Sequence, residues 1–234
     1  MRRFIAATLA ALSVAVPARA EFEAGREAFE KGDYTKALNE FLPSVMEGNT
    51  NAQFYLALMY EKGAGVPQNP AKAFKWYNLA AEQGSPEAMF KLGVYHYDGS
   101  GGAAKDAEKA LAWFGDAAGL GIAGAQFNIG LMHAKGFGIE RDYALAAKWF
   151  RVAARQGHAM AQHGLGIIHA KGLGVERDLV RASMWSQLAL KSAKPGPART
   201  VIKEARDDIA RLLTPEQLDR AQAMIEKWSA EQGF

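Results

Sequence analysis

Three stretches carry residues of the kinds that do chemistry. The decapeptide HAKGFGIERD at residues 133–142 returns as HAKGLGVERD at 169–178, with a histidine, a lysine, two glycines and an arginine between two acids. His96, His133 and His169 share a register, an arrangement that suggests a metal site. Asp98-Gly99-Ser100-Gly101-Gly102 sets a serine among glycines beside an acid, and Lys135-Gly136-x-Gly138 suggests a phosphate cradle. What each can do depends on the elements that hold it.

Those elements belong to a chain of 234 residues with no cysteine. That composition excludes a disulfide framework, a thiolate nucleophile and cysteine metal ligation. Residues 1–20 read as a secretory signal peptide. Arg2 and Arg3 lead, Phe4 to Val16 form an apolar run, and Ala18-Arg19-Ala20 places small residues before a cut between Ala20 and Glu21. The run is shorter than the ~20 apolar residues that cross a bilayer. Residues 1–20 carry three of the 28 basic residues (Arg2, Arg3 and Arg19) and none of the 25 acidic ones, so the mature chain would balance at 28 − 3 = 25 bases against 25 acids. A neutral chain lacks the basic balance of a nucleic-acid binder. The expectation is a periplasmic or secreted monomer with no nucleic-acid partner and no transmembrane segment in the mature chain.

The chain repeats itself. Trp76, Trp113, Trp149 and Trp185 fall 37, 36 and 36 residues apart, and Ala52, Ala88, Ala125 and Ala161 keep the same step. Each unit reads as two helices. In the first, Ala52, Leu56, Met59 and Tyr60 share one face, and Ala73, Trp76, Tyr77, Ala80 and Ala81 share another. Asn69, Asp106, Asp142 and Asp178 stand as N-caps of the second helices, and Gly84, Gly121 and Gly157 stand where a left-handed residue ends them. The glycine pairs Gly63/Gly65, Gly136/Gly138 and Gly172/Gly174 then fall at the turn between the two helices, followed by Val66, Ile139 or Val175 tucked beneath it. The decapeptide is a joint. Trp113 and Trp149 are expected in the core.

This architecture reweighs the chemistry. Equivalent histidines on packed helices stand ~8–10 Å apart, too far to share a zinc ion with nitrogens ~2 Å away. They read as replacements for Tyr60. The glycine-rich loop at 98–102 has the letters of the serine-protease signature Gly-Asp-Ser-Gly-Gly with Asp and Gly exchanged, in an all-helical pattern without strands. A phosphate loop wants a preceding strand and a Gly-Lys-Ser/Thr order. No catalytic residue, cofactor or metal is expected.

The joint, the alanine and tryptophan registers and the terminal Ala-Ala-x-x-Gly resemble the Sel1-like repeat family, relatives of the tetratricopeptide repeats. The pattern stands as AQFYLALMYEKGAGVPQNPAKAFKWYNLAAEQG and as AQFNIGLMHAKGFGIERDYALAAKWFRVAARQG, covering residues 50–193. The resemblance implies an all-α fold, a right-handed α/α solenoid. Its organisation would be an N-terminal tetratricopeptide-like cap at 21–49, repeats at 50–84, 85–121, 122–157 and 158–193, and capping helices at 194–234. Thr214-Pro215-Glu216-Gln217 is a capping box, and Leu218, Ala221, Ile225 and Trp228 form a stripe that would cover repeat four.

The resemblance also implies a function, because Sel1-like proteins act as adaptors through protein contacts, some exported ones in envelope signalling or host contact. Spacing on the first helix of each unit places Phe54, Phe90, Phe127 and His163 in one ladder and Leu58, Val94, Leu131 and Ile167 in another, both turned away from the second helix. Tyr97 belongs to the same face, with Lys62, Asp98, Lys135 and Lys171 as its polar rim. The expected partner is a protein or peptide segment in this groove. Packing of these side chains against one another along the wall stays an alternative. So does an envelope enzyme or cell-wall ligand binder using the same groove, since some family members are linked to β-lactam or peptidoglycan chemistry, although no nucleophile–base pair can be assembled here.

Overall fold

The computed structural model describes residues 18–232, which form twelve helices and no strand. The leader expected at residues 1–20 lies outside the described residues except for residues 18–20, which open the first helix. An N-terminal pair, α1 (Ala18–Glu30) and α2 (Tyr34–Met46), precedes four repeats: α3 (Thr50–Lys62) with α4 (Pro70–Glu82), α5 (Pro86–Asp98) with α6 (Ala107–Gly119), α7 (Ala123–Lys135) with α8 (Tyr143–Arg155), and α9 (Ala159–Lys171) with α10 (Leu179–Ser192). Two further helices, α11 (Pro197–Ala210) and α12 (Pro215–Gln232), follow and both pack on α10. The result is an α/α solenoid in which each helix from α1 to α11 packs on its sequence neighbour, while α12 returns to α10.

The joints are built as local chemistry requires. Asn69, Asp106, Asp142 and Asp178 each accept a hydrogen bond from the backbone N–H three residues on, satisfying a donor that the helix itself leaves free. The backbone N–H of each cap also donates to the carbonyl of Tyr60, His96, His133 or His169, at 2.8–3.0 Å, which closes the turn onto the preceding helix. Gly136 and Gly138 have φ of 68° and 69°, left-handed values that glycine adopts without strain. The second glycine has an additional reason. A Cβ on Gly138 would stand 2.0 Å from the Cβ of Ala107, and one on Gly174 would meet the first turn of α8 at 2.6 Å. The joint of each repeat rests on the second helix of the repeat before it.

The core is assembled between a small residue on the first helix and a ring on the second. Gly93 faces Phe114, and Gly130 faces Phe150, so closely that added Cβ atoms would stand 2.5 and 2.6 Å from the rings. Ala57 holds this position above Tyr77 in repeat one, and Gly25 above Phe41 in the N-terminal pair, so that pair packs as the repeats do. Tyr77, Phe41 and Phe114 are fully buried. The tryptophan expectation is therefore corrected: Trp113 and Trp149 are half-buried, and the residue after each one fills the core. The tryptophans instead pack on clusters that straddle the boundary with the preceding repeat, Trp113 on the one around Tyr77 and Leu92, Trp149 on the one around Phe114 and Ile129.

Repeat four departs from this scheme. Ser186 occupies the ring position, and its hydroxyl donates back to Ala182 O at 2.7 Å. Trp185 is buried, with the ring of Trp228 edge-on at 4.8 Å. Met224, Ile225 and Trp228 of α12 complete the last cluster, while Leu218 is half-buried. Thr214 and Gln217 exchange the two hydrogen bonds of a capping box, at 3.0 and 3.3 Å.

Candidate functional site: the wall of first helices

The residues that invited chemistry are held as structure. Asp98 accepts the N–H of Ser100 at 2.8 Å, so that loop is closed by its own acid. His96 and His169 are buried, and His96 Nδ1 lies 3.2 Å from Ala104 O. Burial holds the pKa of His169 below that of a free histidine, as it does for His158 and His163. His158 caps α9: its Nδ1 accepts the N–H of Ala161 at 3.2 Å while its ring stacks 4.8 Å from Phe127. Among the described residues no group of three or more histidines and carboxylates could hold a metal.

The groove ladders sit on one wall formed by α3, α5, α7 and α9, but they do not all point as the helical spacing predicts. Phe54 lies 5.6 Å from Tyr77, Phe90 lies 6.0 Å from Phe114, and Phe127 stacks 5.6 Å from Phe150. Each ring therefore leans onto the second helix of its own repeat instead of turning from it. Alanine and glycine at the helix contact let the two backbones approach, so a ring on the flank still reaches across. His163 is buried. Leu58, Val94, Tyr97, Leu131 and Ile167 are half-buried, and Lys62, Asp98, Lys135 and Lys171 are exposed. The wall is thus partly packed and partly open.

How open it is varies along the chain, because side chains from successive first helices meet across each repeat boundary. Between α3 and α5, Glu61 accepts from Lys91 at 2.8 and 3.0 Å and from the Tyr77 hydroxyl at 2.6 Å. This network buries the phenol and, through desolvation first and the Glu61 hydrogen bond second, drives its pKa far upward. One repeat on, the same two positions hold Tyr97 and Asn128; the Tyr97 ring packs 4.7 Å from Phe137, and Lys135 Nζ lies 3.4 Å from its hydroxyl. Between α7 and α9 they hold Ala134 and Gly164. A cleft of ≈ 270 Å³ opens there, lined by Phe127, Leu131, Met160, His163, Ile167 and both small residues among others.

A second set of contacts escaped the sequence reading. Gln126 donates to Ala118 O at 3.3 Å and accepts from Gln156 at 2.8 Å, tying three helices together. Gln83 donates to Gln53 at 3.1 Å in the same way, and Gln162 donates to Ala154 O at 3.2 Å. The signal was the recurring Ala-Gln at 52–53, 125–126 and 161–162. Gln162 Oε1 is buried with no partner among the described residues, since Ser192 stands where the next glutamine would fall.

A family model, the Sel1 repeat, matches residues 50–85, 86–122, 123–158 and 159–193. The chain belongs to the Sel1 repeat family. Sel1 repeat proteins generally mediate protein–protein interaction through repeats that are not catalytic. Among solved structures, a protective antigen of uropathogenic Escherichia coli with this fold is 36% identical, with a TM-score of 0.79 over 91% of this chain and 45% of that one. A Sel1 repeat protein from Oxalobacter formigenes is 29% identical, with a TM-score of 0.74 over 91% of this chain and 85% of that one. An exopolysaccharide production negative regulator of Rhizobium leguminosarum is 35% identical over 63 residues, 27% of this chain and 24% of that one. Protein SHC1 of Saccharomyces cerevisiae is 33% identical over 78 residues, 31% of this chain and 15% of that one. The chain thus matches less than a quarter of the length of these two curated relatives. Among the described residues no helix is long and apolar enough to cross a membrane.

Proposed function

We propose that this protein is an exported interaction scaffold of the bacterial envelope, acting in signalling or regulation by holding a segment of a partner protein on the wall of α3, α5, α7 and α9. The observation that carries the reading is the half-buried apolar ladder Leu58, Val94, Leu131 and Ile167, which the fold positions in register without covering it. A periodic, partly exposed apolar surface on a rigid stack is what a partner segment needs in order to bury its own apolar side chains. The leader-like residues 1–20 support export, and the likeness of 63 residues to a negative regulator of exopolysaccharide production supports a regulatory role.

The test places a photo-crosslinking amino acid at Tyr97, Leu131 or Ile167 on the wall, and at Leu79 or Val152 on exposed positions of the second helices. After irradiation of native cells, wall positions should yield a discrete protein adduct and second-helix positions should not. Adducts of equal yield from both faces, or none from the wall, would overturn the reading. Fractionation with N-terminal sequencing checks export: the mature chain should begin at Glu21, and a cytoplasmic chain retaining Met1 would remove that part of the proposal.

A further inference from the structure

The wall is plugged at two of its three boundaries between repeats and open at the third. At the first, the Glu61–Lys91 ion pair and the Tyr77 hydroxyl fill the space between α3 and α5. At the second, the Tyr97 ring and Asn128 occupy the corresponding positions. At the third, Ala134 carries only a methyl group and Gly164 no side chain, with the Phe150 ring lying against its backbone, and the ≈ 270 Å³ cleft opens beside them. Its size falls below the ~300–1,000 Å³ of sites for drug-sized ligands, and suits a bulky side chain or two presented by a partner. Apart from His163 and the Tyr143 hydroxyl, its lining is apolar.

Charge identifies the occupant further. Neither α7 nor α9 contains an acidic residue, and each ends in an exposed lysine, Lys135 or Lys171. Those lysines follow Leu131 and Ile167 by four residues, one helical turn or ~6 Å along the wall. The nearest acids in sequence sit in the joints that follow: Glu140 and Asp142 line a neighbouring cavity that shares Tyr143 with the cleft, Glu176 and Asp178 follow α9, and Asp142 and Asp178 are committed to the N–H groups of Leu145 and Arg181. By contrast, the wall of α3 and α5 carries Glu61, Glu87 and Asp98. We infer that the cleft between α7 and α9 is the anchor point of the scaffold, receiving a large apolar side chain of an acidic amphipathic segment whose carboxylates reach Lys135 and Lys171. The inference rests on the scaffold reading and narrows it to one boundary and one partner chemistry.

Met160 lines the cleft and supplies the reporter. With methionine methyls labelled by carbon-13, and the Met160 signal assigned from Met160→Leu, the full chain is titrated with synthetic helical peptides. The probe is an alanine-rich helix with one leucine flanked by glutamates; one control replaces the leucine by alanine, and another replaces the glutamates by lysines. The acidic leucine peptide should shift the Met160 methyl. Each control should bind at least about tenfold more weakly, as loss of a buried anchor or of a charge partner does. Ala134→Leu, which fills one vacant position, should abolish the shift while the helical circular dichroism is retained. Lys135→Glu/Lys171→Glu, two exposed changes that leave the core alone, should reverse the preference toward the lysine peptide. A silent Met160, an equal response in the Ala134→Leu protein, or equal affinity for acidic and basic peptides would overturn the inference. The photo-crosslinks from Tyr97 judge the scaffold separately. If they persist while the cleft fails, the partner lies elsewhere on the wall; if they too are absent, the scaffold reading falls with it.

Discussion

One repeat position should answer the same substitution with opposite signs in two repeats. Gly130 and Gly166 are equivalent, both within first helices, and alanine in place of a helical glycine ordinarily stabilises by about 0.5–1 kcal/mol. At Gly166 that gain should survive, because the new Cβ would have Ala182 O at 3.4 Å and Ser186 at 3.6 Å as its nearest neighbours, ordinary contact distances. At Gly130 it would stand 2.6 and 2.7 Å from the Phe150 ring and 3.2 Å from Ala146 O. That ring is hemmed on its other side by the backbone of Gly164, where an added Cβ would be 2.9 Å away, and by Phe127. Overpacking of this kind costs about 1–3 kcal/mol against that gain, so the net for Gly130→Ala is a loss of up to ~2.5 kcal/mol. Gly166→Ala should gain ~0.5–1 kcal/mol by the helix-propensity argument alone. Urea titration by circular dichroism gives the sign, and hydrogen exchange read by mass spectrometry separates α7 from α9, since a repeat stack need not unfold as one unit. Equal shifts of the same sign in the two variants would refute the packing scheme of glycine against ring.

Three further outcomes follow from the same contacts. Phe150→Ala should cost about 3–5 kcal/mol as a core truncation, and Trp149→Ala distinctly less because it is half-buried; equal urea midpoints would contradict the assignment of core and flank. Ser192→Gln should give Gln162 Oε1 the donor it lacks and raise stability by about 1 kcal/mol, a gain that should vanish in a Gln162→Leu background. The chain should also lose stability in mild acid. Burial lowers the pKa of His158, His163 and His169 below the usual 6.5, so the folded protein binds fewer protons than the unfolded chain, and stability is complete above ~6.5 and declines as pH falls through the lowered values. His158→Asn keeps a capping side chain without a titrating group, and should flatten the dependence of melting temperature on pH between 7.5 and 5; an unchanged slope would acquit the cap.

The joints were legible from the sequence because their causes are local. An aspartate caps the residues directly after it, and a left-handed turn selects glycine, so neither needs knowledge of a distant element. The core aromatic was not legible. Trp149 and Phe150 are adjacent on α8, and alanines flank both faces of that helix, so periodicity alone could not choose between them. The choice is made by Gly130 on another helix, twenty residues away, which leaves room for one ring and not the other. The groove ladders failed in part for a related reason. A helical wheel gives the direction of a Cβ, whereas Phe54, Phe90 and Phe127 are long enough to bend onto a neighbour that small residues allow to come close.

The cleft lay deeper still, since it depends on pairs that no single repeat contains. Glu61 meets Lys91 thirty residues later, and only that contact shows that Ala134 and Gly164 belong together. Within one repeat, each small residue looks like ordinary variation. Paired across the boundary, they remove both plugs at one place and nowhere else among the three boundaries. A position filled alike in every repeat answers a need that every repeat has, such as a turn, a cap or a ring over a glycine. Where the repeats differ, as in an ion pair, a stacked tyrosine and then a gap, the fold tolerates all three, so folding alone does not explain which one stands where. That is the physical ground for placing the partner at the gap.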